Sequence, residues 1–94
     1  MKRLSDILTG IKVEELIGEV DLNLTDIQFD SRKVTTGSLF VATRGTVVDG
    51  HTFISSAIEK GASAIVCEVL PTERPAGVTF VKVKDSSIAL GQLA

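Results

Sequence analysis

Two short apolar runs with a helical segment between them are the feature that most constrains how this chain can fold. Residues 39–42 and 62–67 are almost continuously apolar, which is typical of strands covered on both faces. Gly61 stands where a left-handed glycine ends many helices. The order strand, helix, strand within about thirty residues predicts a βαβ unit with parallel strands and a right-handed crossover. The apolar side chains at helical spacing between the runs are Phe53, Ile54, Ala57 and Ile58.

The residues before this unit predict a short helix and a β extension. Leu4–Leu8 has apolar residues at helical spacing, and Gly10 is expected to end that helix in a left-handed conformation. Two β-like segments follow, Val13–Ile17 and residues 20–24. Apolar and polar residues alternate strictly in the second segment, which predicts one buried and one solvated face.

A slip in this alternation predicts a bend before the next strand. The pattern breaks at Thr25 and Asp26 and resumes at Ile27. The strand that begins there is expected to end close to Asp30 and Ser31, which places these two residues at a strand end.

The residues after the βαβ unit predict one more strand and a helix. Residues 69–77 contain two prolines and a glycine and are expected to form a loop, and residues 78–83 a strand. A helix is expected to begin near Ser87 and to continue to the last residue. No second core or internal repeat is visible, so residues 1–94 are expected to form a single domain cut from a longer protein at a domain boundary.

Charge and aromatic content argue against nucleic-acid binding. The chain has a formal net charge of -2, with 10 Lys and Arg against 12 Asp and Glu. Like charges never occur more than two in a row, whereas neutralising phosphates needs a concentrated basic stripe. The chain has four Phe and no Trp or Tyr, so a base-stacking platform is not expected either.

The single cysteine and the N-terminal sequence indicate a cytoplasmic protein. Cys67 cannot form an internal disulfide and lies in a buried strand pattern, which fits a reducing compartment. The apolar residues near the N-terminus are interrupted by Ser5, Asp6 and Thr9. Neither a signal peptide nor a membrane span is therefore predicted.

The loop from Gly45 to Thr52 has the glycine spacing of a phosphate-binding P-loop and lies between a predicted strand and helix. Its seventh position is His51, whereas the motif needs a lysine that contacts the β and γ phosphates. ATP hydrolysis at this loop is therefore not expected. Two interpretations stay open: the helix N-terminus binds another anion, or Asp49 caps the helix and Gly50 makes the turn without any ligand.

His51 is the only histidine, so the chain has no histidine-based metal site of its own. Cys67 lies on a distant predicted strand, and no zinc-type cluster is expected. A hydrogen-bonding role for His51 is favoured over catalysis, because a catalytic histidine needs a partner and Asp49 is better placed to cap the backbone.

Asp30, Ser31 and Arg32 follow a strand end, where side chains of open α/β sheets often face ligands. Ser31 has no glycine-flanked elbow and no second histidine to act as base, so nucleophilic catalysis is not expected. From the residues alone, an Asx turn is slightly favoured over a ligand site, with Arg32 either paired with Asp30 or in solvent.

A series of short motifs in a fixed order resembles the N-terminal domain of the Mur ligases, cytoplasmic enzymes that add amino acids one by one to the peptidoglycan precursor. Each motif alone is a weak signal. Their combination and order are specific, and the resemblance extends over essentially the whole chain. In order, the motifs are Asp30-Ser31-Arg32, Gly37, residues 39–42, Gly45, Asp49-Gly50-His51, Phe53 and Gly61-Ala62.

The resemblance implies an α/β fold, namely a small Rossmann-like N-terminal Mur ligase domain with a βαβ core and an N-terminal β extension. It also implies that this domain holds the UDP portion of a UDP-N-acetylmuramoyl (UDP-MurNAc) peptide. The residues that it assigns to this small-molecule ligand are Phe29, Ser31, Thr46, Val47 and Val48.

Other parts of the family's enzymes are expected to be missing from these 94 residues. The central domain, which binds ATP, and the C-terminal domain, which selects the incoming amino acid, have no counterpart in the sequence. The resemblance therefore implies no catalytic residue, cofactor or metal site in this chain. It implies ATP and Mg²⁺ in the full-length enzyme, and an intramolecular contact with the central ATPase domain.

Within the family, the chain most resembles the ATP-dependent ligases that add the third residue to UDP-MurNAc-L-Ala-D-Glu in peptidoglycan biosynthesis. The members that add D-Ala-D-Ala have a similar start and are the nearest alternative. Two further hypotheses are a free-standing module that binds a protein partner and an autonomous nucleotide hydrolase.

Overall fold

The computed structural model describes residues 2–43, 50–72 and 75–85. Within these ranges the chain forms a five-stranded sheet, a small two-stranded sheet and short helices. Two 3-10 turns, Ser31–Lys33 and Gly50–Phe53, follow strands. In chain order the elements are β1 (Lys2–Arg3), α1 (Leu4–Leu8), β2 (Val13–Ile17), β3 (Asn23–Leu24), β4 (Ile27–Gln28), β5 (Leu39–Val41), α2 (Ile54–Glu59), β6 (Ala64–Cys67) and β7 (Thr79–Val83).

The larger sheet has the strand order β2-β7-β6-β5-β4. β4, β5, β6 and β7 run parallel to one another, and β2 pairs antiparallel with β7. The predicted βαβ unit is confirmed, because β5 and β6 are adjacent and parallel, with Leu39 opposite Ala64, and α2 connects them. β1 and β3 form the second sheet. The bend predicted at Thr25 and Asp26 is also confirmed, since it separates β3 in one sheet from β4 in the other.

Both faces of the five-stranded sheet are covered, which explains why β5 and β6 are continuously apolar. Because successive strand residues point to opposite faces, each strand contributes to two clusters. The first cluster lies on the side of α1 and contains Leu4, Leu24, Leu39, Val41, Ala64, Val66, Val81 and Val83. The second lies on the side of α2 and contains Val34, Phe40, Ala42, Ile54, Ala57, Ala62, Ile65, Cys67 and Phe80.

The predicted glycine after α2 is confirmed. Gly61 has a φ of 106°, and its carbonyl accepts a hydrogen bond of 2.9 Å from the amide of Gly37, which has a φ of 91°. Positive φ values in this range are costly for residues with a side chain. The two glycines therefore join the end of α2 to the turn that precedes β5.

The expectation that Gly10 ends the first helix in a left-handed conformation is wrong, since Gly10 is absent from the positive-φ glycines of the described chain. Instead, α1 ends at a right-handed Thr9. The Thr9 hydroxyl donates to the carbonyl of Asp6 at 2.7 Å, and the amide of Ile11 donates to the carbonyl of Leu8. These bonds satisfy terminal carbonyls that a left-handed glycine would otherwise satisfy.

The expectation of a strand over residues 20–24 is also wrong for most of its length, because only Asn23–Leu24 pairs as a strand. The carbonyls of Val20 and Leu22 accept hydrogen bonds from the amides of Ser5 and Leu4. Those amides belong to the first turn of α1, where backbone N–H groups have no acceptor within the helix. Alternation therefore identified an extended segment whose partner is a helix start.

The spacing predicted that Phe53 belongs to the buried stripe of α2, and this prediction is wrong. Phe53 ends the preceding 3-10 turn and is 40% exposed, whereas the helix begins at Ile54. The helix predicted near Ser87 lies outside the described residues. No helix in the described ranges is long and apolar enough to cross a membrane.

Candidate functional site

The parallel strands β4 to β7 all end at the same edge of the sheet, which we call the carboxyl edge. Ligands of open α/β sheets bind outside the carboxyl ends of the strands. The described residues that directly follow these strands are 29–32, 42–43, 68–70 and 84–85. Together with the 3-10 turn Gly50–Phe53, which lies between β5 and α2, they define the candidate site.

The Asx turn expected at Asp30 is present. Asp30 caps the 3-10 turn, because its Oδ1 accepts the amide of Arg32 at 3.0 Å. The Arg32 guanidinium donates to both carboxylate oxygens, from Nε at 3.1 Å and from Nη2 at 2.9 Å. These hydrogen bonds from the Arg32 side chain, and then the one from its amide, lower the pKa of Asp30 to about 2. Asp30 is therefore ionised near neutral pH and is unsuited to acid–base catalysis.

Ser31 begins this 3-10 turn and is 8% exposed. Its carbonyl accepts a hydrogen bond of 3.1 Å from Nζ of Lys60, which follows α2. Lys60 is a contact that the sequence did not reveal, since the two residues are 29 positions apart. The start of the turn is thus held both by the Asp30 cap and by Lys60 at the end of α2.

Exposed apolar side chains occur among the residues that follow the strands. Phe29 comes directly after β4 and is 64% exposed, and Val69, two residues after β6, is 53% exposed. Phe53 lies in the 3-10 turn between β5 and α2. The carboxyl edge therefore combines polar groups with apolar surface, which is the usual composition of a small-molecule site.

His51 joins two of the segments at this edge. It lies in the 3-10 turn before α2, and its Nε2 accepts hydrogen bonds from the amide of Glu68 at 2.9 Å and from that of Val69 at 3.2 Å. The expected hydrogen-bonding role of His51 is confirmed. In this arrangement Nε2 acts as an acceptor for both amides, which leaves Nδ1 as the ring nitrogen that can donate.

Thr46, Val47 and Val48, three of the residues assigned to a ligand by resemblance, lie outside the described residues. Gly45 and Asp49 do so as well. The two interpretations of this loop, anion binding and a capped turn, therefore both stay open.

A polar cluster that sequence reasoning missed joins β4 to the start of β5. Asp26 accepts hydrogen bonds from Nε2 of Gln28 at 2.7 Å and from the hydroxyl of Ser38, and Ser38 Oγ accepts from the amide of Thr35 at 3.1 Å. The hydrogen bond from Gln28, followed by that from Ser38, lowers the pKa of Asp26. The sequence signal is only a serine before an apolar run, although Ser38 is fully buried.

Cys67 and the acidic residues offer no reactive centre among the described residues. Burial raises the pKa of the Cys67 thiol to about 11, against an opposing effect of Lys82. A buried, protonated thiol is a poor nucleophile. Within the described ranges, no three His, Cys, Asp or Glu side chains come together as metal ligands.

Comparison with known protein families identifies the chain. The family model described as Mur ligase family, catalytic domain, matches residues 23–94. The chain belongs to the Mur ligase family. The α/β fold and the family expected from the motifs are thus confirmed.

Curated relatives of this Mur ligase chain are named UDP-N-acetylmuramoyl-L-alanyl-D-glutamate--2,6-diaminopimelate ligase. The one from Parabacteroides distasonis is 52% identical over 90 residues, and the one from Bacteroides fragilis is 47% identical over 92 residues. The alignments cover 96% and 98% of this chain but only 18% and 19% of the relatives. The chain therefore spans about a fifth of the length of these proteins.

Solved structures of other Mur ligases share the fold. The Acinetobacter baumannii UDP-N-acetylmuramoylalanyl-D-glutamyl-2,6-diaminopimelate--D-alanyl-D-alanyl ligase superposes with a TM-score of 0.78 over 96% of this chain and 20% of its own, at 22% identity. The MurF ligase from Thermotoga maritima, solved in complex with ADP, has a TM-score of 0.61 and 34% identity over 72% of this chain and 15% of its own.

Proposed function

We propose that this chain is the N-terminal domain of a cytoplasmic Mur ligase and binds the UDP portion of UDP-MurNAc-L-Ala-D-Glu. In this proposal the full-length enzyme uses ATP to add the third residue of the peptidoglycan peptide. The observation that carries the proposal is the turn at Ser31, which Asp30 and Lys60 hold at the carboxyl edge beside the exposed Phe29. The relatives' names support 2,6-diaminopimelate as the first amino acid to test.

The proposed contacts follow from the chemistry of the side chains. Phe29 offers an exposed aromatic face, on which a uracil ring can stack. Ser31 supplies a hydroxyl that donates and accepts hydrogen bonds from a turn whose backbone is already held in place. Holding the turn before the ligand arrives reduces the entropy lost on binding. By resemblance, Thr46, Val47 and Val48 complete the site.

Binding at the nucleotide end serves a reaction that takes place elsewhere on the substrate. Interactions with remote groups of a substrate hold its reacting group in position. The chain would thus act as an anchor, with the reacting carboxylate presented to the parts of the enzyme that lie beyond these 94 residues. A contact with the ATPase part of the enzyme belongs to the same proposal.

The described residues do not fit ATP or Mg²⁺. His51 occupies the position of the P-loop lysine, and its Nε2 is already bonded to the amides of Glu68 and Val69. The described ranges also lack a cluster of metal-ligating side chains. We therefore assign ATP and Mg²⁺ to the remainder of the full-length enzyme. No chemical step of the reaction is assigned to residues of this chain.

Titration of the ¹⁵N-labelled chain with UDP and with UDP-MurNAc-L-Ala-D-Glu tests the proposal. We expect saturable shift changes in the amides of Phe29, Ser31 and Thr46. The absence of shift changes at millimolar concentrations of both ligands would contradict it. A protein-interaction module would show the same absence, and a reading frame that ends at Ala94 would favour that alternative.

Two single substitutions then locate the site. We expect Phe29→Ala and Ser31→Ala each to weaken binding by about tenfold, the loss of about 1.4 kcal/mol. Val20→Ala is the matched control, because Val20 is also an exposed apolar residue but precedes β3, away from the residues that follow the parallel strands. Equal affinities of all three variants and the unmodified chain would show that the ligand does not bind at the carboxyl edge.

The D-Ala-D-Ala-adding ligases are a second candidate because the solved structures that share the fold include such an enzyme. Sequence identity favours the first candidate, at 47% and 52% over nearly the whole chain, against 22% for that ligase and 34% over 72% of this chain for the Thermotoga maritima MurF ligase. An assay of the full-length enzyme decides between them. Product from UDP-MurNAc-L-Ala-D-Glu and diaminopimelate supports the first, and product only from a tripeptide substrate and D-Ala-D-Ala supports the second.

A further inference from the structure

His51 makes a connection that neither a P-loop nor a simple helix start requires. Its Nε2 accepts the amides of Glu68 and Val69, which lie 17 and 18 residues later in the chain. We call these two hydrogen bonds the His51 bridge. It joins the 3-10 turn before α2 to the end of β6, and thus two segments of the carboxyl edge.

We propose that His51 is a positioning residue for the UDP-MurNAc-peptide site. The proposal rests on the proposed function. The 3-10 turn that contains His51 also carries the exposed Phe53, and one of the two donors is the amide of the exposed Val69. The bridge therefore restrains the positions of these two apolar side chains relative to each other at the carboxyl edge, where the ligand is proposed to bind.

The geometry separates this role from catalysis and from simple packing. Nε2 faces two backbone donors, so it cannot also take a proton from a substrate without losing the bridge. The imidazole is only partly buried and is not a member of either apolar cluster. The property that matters is an acceptor at the position of Nε2, because two backbone amides after β6 donate to it.

This property gives a matched pair of variants. The amide oxygen of His51→Gln can occupy the position of Nε2 and accept both amides, whereas His51→Leu retains bulk without an acceptor. Ser56→Ala, an exposed change on α2, controls for effects on the helix. For each protein we would measure thermal unfolding, amide hydrogen exchange at Glu68 and Val69, and the Kd for UDP-MurNAc-L-Ala-D-Glu.

We expect His51→Leu to accelerate exchange at both amides by at least about tenfold and to weaken ligand binding by about tenfold, while remaining folded. His51→Gln is expected to restore both values to within about threefold of the unmodified chain. Equal affinity of the Leu variant, or equal weakening in both variants, would overturn the positioning role and leave the proposed function standing. A failure of the unmodified chain to bind would overturn the proposed function, and with it this inference.

A measurement on the unmodified chain keeps the inference testable if His51→Leu fails to fold. Long-range ¹H–¹⁵N spectra report which imidazole nitrogen carries the proton. Because Nε2 accepts both amides, we expect the proton on Nδ1 and none on Nε2. An imidazole protonated on Nε2 could not accept the two amides, and that result would overturn the bridge itself.

Discussion

A methyl group on Gly61 would lie 2.8 Å from the α-carbon of Thr36 and 2.9 Å from its hydroxyl oxygen. The end of α2 therefore packs directly on the turn before β5. Gly61 and Thr36 are so close that any side chain at position 61 would clash with the backbone of Thr36. This contact also brings the amide of Gly37 to the carbonyl of Gly61. It sets the position of α2 over the sheet, and with it the contact between Lys60 and Ser31.

Gly61→Ala is expected to destabilise the domain by about 2 kcal/mol or more, because it combines a positive φ of 106° with a steric clash against backbone. Urea unfolding followed by circular dichroism measures the change. Gly10→Ala is the control, since a side chain at Gly10 meets nothing within 4 Å. Its effect is expected to stay within about 0.5 kcal/mol. Equal stabilities of the two variants would contradict the contact.

Arg32→Gln is expected to raise the pKa of Asp30 from about 2 toward the ordinary value of about 3.9, because the Arg32 side-chain hydrogen bonds are the largest cause of the depression. NMR titration of the carboxylate carbon measures it. Lys33→Gln should move this pKa much less, since the coulombic effect of Lys33 is the smallest contribution. A pKa that does not respond to Arg32→Gln would show that the ion pair does not form in solution.

The ion pair between Asp30 and Arg32 also makes the free energy of unfolding depend on pH. The folded pKa of Asp30 lies below the unfolded value of about 3.9, so the folded state binds the proton less tightly. The stabilisation is complete above about pH 5 and is lost progressively as the pH falls through about 2. Thermal unfolding of the unmodified chain and of Arg32→Gln should therefore converge in this window. Parallel curves down to pH 2 would contradict the linkage.

Ser38→Ala is expected to cost about 1–3 kcal/mol, because it removes the donor to Asp26 and leaves the amide of Thr35 without the hydroxyl that it bonds. The pKa of Asp26 should rise at the same time, since the Ser38 hydrogen bond lowers it. Chemical unfolding and a carboxylate titration measure the two effects. Ser56→Ala, an exposed serine, should change neither. Normal stability with an unchanged Asp26 pKa would exclude the cluster.

Cys67 is expected to react with a disulfide reagent more than about 100-fold more slowly in the folded chain than in the unfolded chain at pH 8. The difference in thiolate population alone predicts this factor, because burial raises the pKa to about 11 from an ordinary value of about 8.5. Stopped-flow measurements with and without denaturant give both rates. Comparable rates would place the thiol at the surface.

The elements that could be predicted carry their signal within a few residues. β5 and β6 are apolar at successive positions because both of their faces are covered, and α2 repeats its apolar residues at the helical period. Gly61 marks a conformation that side chains disfavour. The alternating residues 20–24 were misjudged for the opposite reason. Extension was visible in the sequence, whereas their partner, the start of α1, was not.

The resemblance to a known family went further than periodicity, because it used the order of motifs rather than any one of them. It pointed to Phe29 and Ser31, and both lie at the carboxyl edge of the sheet. Local chemistry had slightly favoured an Asx turn at Asp30, and that turn is present. The two interpretations are compatible, because the turn is what holds Ser31 at the edge.

The sequence by itself determined the βαβ unit, the glycine after α2, the strand end shortly before Asp30 and the family, since these depend on local periodicity, backbone sterics and motif order. Only the tertiary structure decided that β2 lies antiparallel beside β7, that Lys60 contacts the carbonyl of Ser31, and that His51 accepts the amides of Glu68 and Val69. These contacts join residues far apart in the chain. They depend on the order of strands and on hydrogen-bond geometry, for which no local pattern of residues provides a signal.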